Sequence, residues 1–327
     1  MEGPTQYIEE HLEEVLSVLR KKDLKPEVFY HSSQHMAQLS DASIHLVVTS
    51  PPYPMIEMWD SLFERELNLA SGTFTDQRDP FALAHDYLSK TWAECFRVLD
   101  KGGILCINIG DATRTIDGNF RCYSNHVRIT ETCEGLGFQS LVPILWKKPT
   151  NKPNAFLGSG FIPPNAYVTL DCEYILIFRK GKKRALIPQE PLRYASQYSK
   201  KERDAWFSQI WEIRGAAQNH LETAPFPDEI PYRLIRMFSC LGEKVLDPFL
   251  GTGTTVRIAR ALGRKGVGYE VNQALRPIVD KSLAFTAPDP SDVLSRILSI
   301  YNRTDGSSDA DASATVNSRD RPLQTFV

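Results

Sequence analysis

Apolar positions recur along the chain in short bursts, separated by polar turns that carry glycine or proline. Over residues 5–22, Ile8, Leu12, Val15, Leu16 and Leu19 fall at three- and four-residue spacing. That spacing predicts an amphipathic helix with one packing face. A short strand is predicted at 27–31. The run Ile44-His45-Leu46-Val47-Val48 stops abruptly at Thr49-Ser50-Pro51-Pro52, as a buried parallel strand does when it delivers a loop at its carboxyl end. A helix is predicted over 81–99, ended by Asp100-Lys101-Gly102-Gly103, and a strand over 104–109 running into Gly110-Asp111. Beyond these, the pattern predicts a helix over 123–136, strands at 141–146 and 173–179, and a helix over 230–240. A strand at 244–247, a helix over 254–262 and a strand ending at Tyr269-Glu270 complete the series. This alternation predicts an α/β fold, a doubly wound and mostly parallel sheet with helices on both faces.

Residues 147 to about 201 break the rhythm. They are rich in Pro, Asn, Lys and Arg and hold one strand. Residues 147–210 therefore read as insertions on the sheet edge, within one domain spanning 1–285. A further helix is predicted over 286–302. The last 25 residues, 303–327, are polar and charged and are expected to be disordered.

Composition narrows the function classes. No apolar run approaches 18 residues and the first fourteen residues are acidic. The expectation is a cytoplasmic protein without a membrane span or export signal. Six cysteines, at 95, 106, 122, 133, 172 and 240, form no C-x-x-C pair, which argues against structural zinc. His31 and His35 lack a third ligand, so no metal is expected. No cysteine follows a proline, so a thiolate nucleophile of the kind that attacks a pyrimidine ring has no candidate. The net charge of −2 gives no overall attraction to a phosphate backbone. Between 145 and 205, however, twelve basic side chains stand against five acidic ones. That surplus, with Lys147, Lys148, Lys182, Lys183 and Arg184, reads either as a solvated face or as a phosphate-contacting module.

Two constellations carry candidate chemistry. The first is Val245-Leu246-Asp247-Pro248-Phe249-Leu250-Gly251-Thr252-Gly253-Thr254-Thr255, with Glu270 at the end of the following strand. A strand, a glycine turn and a helix start let backbone amides approach a ligand, and an acid on the next strand can accept from ribose hydroxyls. The glycines alone fit a dinucleotide site, a methyl-donor site or a tight turn. Val256 stands where the third glycine of a dinucleotide fingerprint belongs. The second is Thr49-Ser50-Pro51-Pro52-Tyr53. Its prolines fix the backbone and remove two amide donors. The Ser50 and Pro51 carbonyls and the Ser50 hydroxyl are then acceptors for the two protons of an exocyclic amino group, and Tyr53 offers a stacking face. The same residues also suit a rigid loop that merely ends a strand.

Together these segments resemble the DNA amino-methyltransferases of the β group, in which the catalytic motif precedes the donor motif. Thr49 to Tyr53 matches the catalytic motif in the serine form of N4-cytosine enzymes. Asp247 to Thr255 matches the donor motif, with Glu270 and Asn272 after the next strand. His220 and Phe226, with Pro225 and Pro227, look like the segment whose aromatic group lines the donor pocket. Trp146-Lys147-Lys148-Pro149 and Glu173-Tyr174 resemble two further family segments. One departure is His31-Ser32-Ser33, where the family usually has Gly-Asp; Ser32 or Ser33 would replace that acid.

The resemblance implies S-adenosylmethionine as donor and in-line methyl transfer to the N4 amino group of cytosine in duplex DNA, with the base flipped out. It implies that Ser50 and Pro51 accept the amino protons, Pro51-Pro52 stiffen the loop, Tyr53 stacks on the base, Glu270 binds the donor ribose and Phe226 covers the site. Adenine-N6 and RNA amino groups are the alternative targets. A homodimer and a cognate restriction endonuclease acting on the same site are possible partners. Asp111 reads either as a second acceptor near the amino group or as a turn and cap acid. Trp206 and Trp211 read as core.

Overall fold

The computed structural model describes residues 10–20, 23–149, 162–164, 166–185, 191–215 and 227–284, together with Asp292 and Ser295. The expected tail at 303–327 and all but those two residues of the expected helix at 286–302 lie outside the described residues.

Helix α1 (Leu12–Arg20) packs Val15, Leu16 and Leu19 against Leu192, Ala195 and Leu241, the apolar stripe its sequence predicted. Strands β1 (Glu27–Phe29) and β2 (Ile44–Thr49) follow, then α2 (Asp60–Glu66) and the long α3 (Pro80–Val98). Pro80 opens α3 at a position where its missing amide costs nothing, and Asp79 caps it by accepting from the Ala82 amide. Strand β3 (Leu99–Ile109) leads into a two-stranded hairpin, β4 (Ala112–Ile116) and β5 (Asn119–Tyr123), turned at Asp117-Gly118. Next come α4 (Asn125–Gly135), β6 (Phe138–Ser140), β7 (Ile144–Lys147) and β8 (Cys172–Lys180). Short helices α5 (Pro191–Tyr194) and α6 (Lys200–Trp206) precede β9 (Ile210–Glu212). The described part closes with α7 (Glu229–Phe238), β10 (Lys244–Asp247), α8 (Thr254–Ala261), β11 (Lys265–Tyr269) and α9 (Arg276–Leu283).

Nine strands form one sheet, in the order β1-β11-β10-β2-β3-β8-β7-β9, with β6 also on β8. β1 through β3 pair in parallel, and β8 runs antiparallel to β3, β6 and β7. Alternation along β2 divides the core between the two faces. Val47 joins Leu105, Ile107, Leu246, Leu88 and Trp92 on one side; Leu46 and Val48 join Cys106, Val245, Ile230, Leu234 and Ile258 on the other. The α/β reading of the sequence therefore holds.

At four places the structure adds to or corrects the sequence reading. The run in β8 reads the same in either direction, and it is the one reversed strand of the described sheet. Residues 112–122, assigned to no element from the sequence, form the hairpin. Helix α2 also went unpredicted. β3 begins at Leu99, so residues 100–103 lie within a strand instead of stopping a helix: while β2 advances from Ile44 to Leu46, β3 advances from Leu99 to Ile104. Gly102, at φ +76°, makes this irregularity possible, because a β-carbon there would lie 2.7 Å from Arg184.

Candidate active site

Chain order places the site. From β10 the chain proceeds to β11 on one side of the sheet, and from β2 it proceeds to β3 on the other. The neighbouring pair β10 and β2 (Val245 opposite Leu46, Leu246 opposite Val47) is thus where the winding reverses. Ligands of open parallel sheets bind at such a switch, outside the carboxyl ends of the strands. Both constellations leave the sheet there, although almost 200 residues separate them in sequence. They wall one cavity of about 380 Å³, within the range of small-molecule sites of about 300–1,000 Å³.

One wall is the loop after β10. The Asp247 side chain is buried and outside the cavity. Its Oδ1 accepts from Thr49 Oγ1 at 2.7 Å and from the Phe249 amide at 3.1 Å. Burial raises this carboxyl to about 6, against the pull of those donors. Asp247 therefore shapes the loop. Pro248, Phe249, Leu250, Gly251, Thr252 and Thr254 line the cavity, whereas Gly253 and the buried Thr255 do not. Gly251 (φ +54°) and Gly253 (φ +89°) supply left-handed turns that side-chain-bearing residues rarely adopt.

Glu270, at the end of β11, accepts from the Gly251 amide at 2.8 Å and the Asn272 amide at 2.7 Å. It is nearly buried and its pKa is raised, chiefly by burial. Asn272 lines the cavity and caps the next turn by accepting from the Ala274 amide. A polar end built on Glu270 beside an apolar stretch of Pro248, Phe249, Leu250 and Leu275 suits a ligand with a ribose and a less polar remainder. A nucleoside-bearing methyl donor fits these residues.

The missing third glycine has a structural answer. That glycine ordinarily lets the helix approach its strand closely. Here the space lies on the strand: a β-carbon at Gly266 would stand 2.7 Å from Val256, and one at Gly268 would stand 2.7 Å from Leu250. Ser33 lines the cavity with its hydroxyl 3.2 Å from Thr91. Ser32 accepts from the Gln34 amide and stays outside the cavity.

The opposite wall is Ser50-Pro51-Pro52-Tyr53. The Tyr53 ring lies against Gly110, where a β-carbon would stand 3.2 Å away. Its hydroxyl donates to Glu173 Oε2 (2.8 Å), accepts from Asn108 Nδ2 (2.7 Å) and lies 3.1 Å from Ser50 Oγ. Asn108 Nδ2 also donates to Glu173 Oε2 at 2.7 Å, and Lys148 pairs with Glu173 Oε1. Burial, then the Glu173 charge, pushes the Tyr53 phenol well up, so it stays protonated. Beneath the loop, the buried Asn125 amide donates to the carbonyls of Pro54 (3.1 Å) and Gly110 (2.9 Å) and accepts from His85 Nε2. Sequence reasoning missed Asn108 and Asn125, because a lone asparagine in a strand or helix carries no pattern.

The basic residues divide. Lys148 lines the cavity with its ammonium over the Trp146 ring. Lys147 pairs with Glu212. Lys182, Lys183 and Arg184 follow β8, whose last residues lie beside the start of β3, at the end of the sheet away from Ser50. Arg184 is engaged by Glu243 and by the His45 carbonyl. The structure thus separates these three from the cavity, because β8 runs opposite to its neighbours. Asp111 takes the capping alternative: it accepts from the His126 amide and ring in the first turn of α4. Trp206 and Trp211 are core. His220 and Phe226 lie outside the described residues.

Residues 44–281 match the N6/N4 methyltransferase family model, described as DNA methylase. The chain belongs to this DNA methylase family. Among family relatives, the type II methyltransferase M.MjaI of Methanocaldococcus jannaschii is 56% identical over 273 residues, 78% of this chain and 90% of the relative. The type II methyltransferase M.MthZI of Methanothermobacter thermautotrophicus is 43% identical over 281 residues, 82% and 79% of the two chains. Among solved structures, the protein TTHA0409 of Thermus thermophilus, in complex with S-adenosyl-L-methionine, has a TM-score of 0.62 at 32% identity, covering 79% of this chain and 95% of its own. The matched family segment holds both cavity walls and omits α1.

Proposed function

We propose that this methylase transfers the methyl group of S-adenosylmethionine to the N4 amino group of cytosine at a specific site in duplex DNA. The observation that carries the reading is Ser50, a neutral acceptor, facing the Glu270 loop across one cavity. In the family it resembles, this serine form belongs to N4-cytosine enzymes, whereas adenine enzymes mostly carry an aspartate there.

When bound, the donor supplies a sulfonium methyl group. Glu270 and the loop from Pro248 to Thr254 would hold it. Ser50 Oγ and the Pro51 carbonyl accept the protons of the amino group and orient its nitrogen, and the prolines keep those acceptors fixed. Tyr53 presents its ring to the base. The cavity lies at the ends of the strands, so a paired cytosine reaches it by leaving the stack. Among the described residues, Lys148 is the basic side chain that lines the cavity, and it is the one we place against nucleic acid. A cognate restriction endonuclease acting on the same site is the partner that this reading implies.

Ser50→Ala tests the reading. It is expected to lower single-turnover methylation of duplex DNA about 100-fold or more, with donor affinity by calorimetry near wild type. Undiminished turnover would remove Ser50 from the reaction.

A further inference from the structure

Resting on the cytosine reading above, we infer that Ser50, Tyr53 and Glu173 form a proton relay. It holds the Ser50 hydroxyl as an acceptor and carries off the proton that the amino group loses.

Donors and acceptors around Tyr53 can be counted. Its hydroxyl has one proton and three polar neighbours: Glu173 Oε2 at 2.8 Å, Asn108 Nδ2 at 2.7 Å and Ser50 Oγ at 3.1 Å. Asn108 gives one N–H to Tyr53 and the other to Glu173 Oε2. Reversing that amide would set its oxygen against the carboxylate, so its orientation is determined. Asn108 Oδ1 is left buried with no hydrogen-bond partner among the described residues. Such groups are rare in folded proteins and are tolerated where function requires them. A carboxylate is a stronger acceptor than a neutral hydroxyl, so the Tyr53 proton goes to Glu173. The remaining lone pair of Tyr53 then accepts from Ser50. With its own proton directed away, Ser50 Oγ turns its lone pairs to the cavity, and the chain of bonds increases their electron density.

The same chain balances the reaction. As the amino nitrogen bonds to the methyl carbon, the methyl–sulfur bond breaks and its electron pair stays on sulfur. The nitrogen becomes cationic and gives one proton to Ser50 Oγ. The Ser50 proton passes to Tyr53 Oη, and the Tyr53 proton passes to Glu173 Oε2. The products are a neutral methylamino base and a protonated Glu173, which releases its proton to water beside the part-exposed Lys148. The base that takes up the reaction's proton thus stands one hydroxyl behind the serine. Asn108 and Lys148 are positioning residues for it.

Tyr53→Phe keeps the stacking ring and removes only the hydroxyl; Glu173→Gln keeps the shape and removes the charge. Each is expected to slow single-turnover methyl transfer to duplex DNA about 100-fold, with donor and DNA affinities within about twofold of wild type. The double variant is expected to be no slower than the slower single, because both break one chain. In the donor-free protein, proton NMR is expected to show a downfield hydroxyl resonance that Tyr53→Phe abolishes and Glu173→Gln shifts upfield. Wild-type transfer by Tyr53→Phe, or single effects that multiply in the double variant, would overturn the relay alone. A wild-type chain that methylates no cytosine would overturn the reading beneath it. If Glu173→Gln does not fold, Tyr53→Phe carries the rate and resonance tests.

Discussion

Thr49 Oγ1 donates a 2.7 Å hydrogen bond to Asp247 Oδ1 and joins the ends of two neighbouring strands. One strand delivers the Ser50 loop and the other the glycine loop. The bond is buried, and it ties the two cavity walls at their base.

Asp247 gives the bond a pH signature. Its folded value of about 6 stands above the ordinary 3.8. A raised carboxyl favours the folded state most when protonated. Its contribution is therefore fully present below about 4 and is lost as the pH rises through 6, amounting to about 3 kcal/mol. Asp247→Asn keeps an oxygen for Thr49 and Phe249 and does not titrate. Denaturant midpoints between pH 4 and 7.5 are expected to fall for the wild type relative to Asp247→Asn. Parallel curves would contradict the assignment.

Asn125 is expected to matter for rate and stability together. Asn125→Ala leaves the Pro54 and Gly110 carbonyls without their donor and the His85 ring without its acceptor. Stripping partners from buried groups costs about 1–3 kcal/mol each. Burial lowers His85 to about 4, so at neutral pH its neutral ring donates through Nε2–H. Lower thermal stability with slowed methyl transfer and donor affinity near wild type is the expected result. Full activity would show that the loop needs no support from below.

Gly266 is expected to resist substitution. Gly266→Ala sets a β-carbon 2.7 Å from Val256 Cγ1 and 2.9 Å from its carbonyl. Overpacking of this kind costs about 1–3 kcal/mol. Adding Val256→Ala relieves the side-chain contact and is expected to restore part of the loss. A neutral Gly266→Ala in chemical denaturation would refute the close approach of α8 to β11.

Lys182 and Lys183 are expected to be silent in DNA binding. Each phosphate contact adds about 0.9 to the slope of log affinity against log salt. Replacing both lysines by Gln is expected to leave that slope unchanged, because they follow β8 at the far end of the sheet. Lys148→Gln is expected to reduce it. A loss of about two units in the double lysine variant would place DNA at the far end of the sheet.

The sequence made the two loops legible because each breaks a buried strand with residues of unusual backbone character: two prolines after Ser50, and glycines at 251 and 253. Periodicity similarly marked α1, where one face is apolar, and a short apolar run marked β2, which is buried on both faces. Strand direction was not legible in β8, because an apolar run carries no polarity, and the placement of Lys182, Lys183 and Arg184 depends on that direction. Nor was the support beneath the loops. Asn108 and Asn125 act through hydrogen bonds to residues 15 to 71 positions away in sequence. Gly266 compensates for Val256 only because β11 lies against α8, a relation visible only in the fold.

The most direct test of the central claim is mass spectrometry of nucleosides from duplex DNA incubated with the protein and isotope-labelled S-adenosylmethionine. Labelled N4-methylcytosine, lost with Ser50→Ala, is the predicted result. Labelled N6-methyladenine without N4-methylcytosine would contradict the cytosine reading built on Ser50.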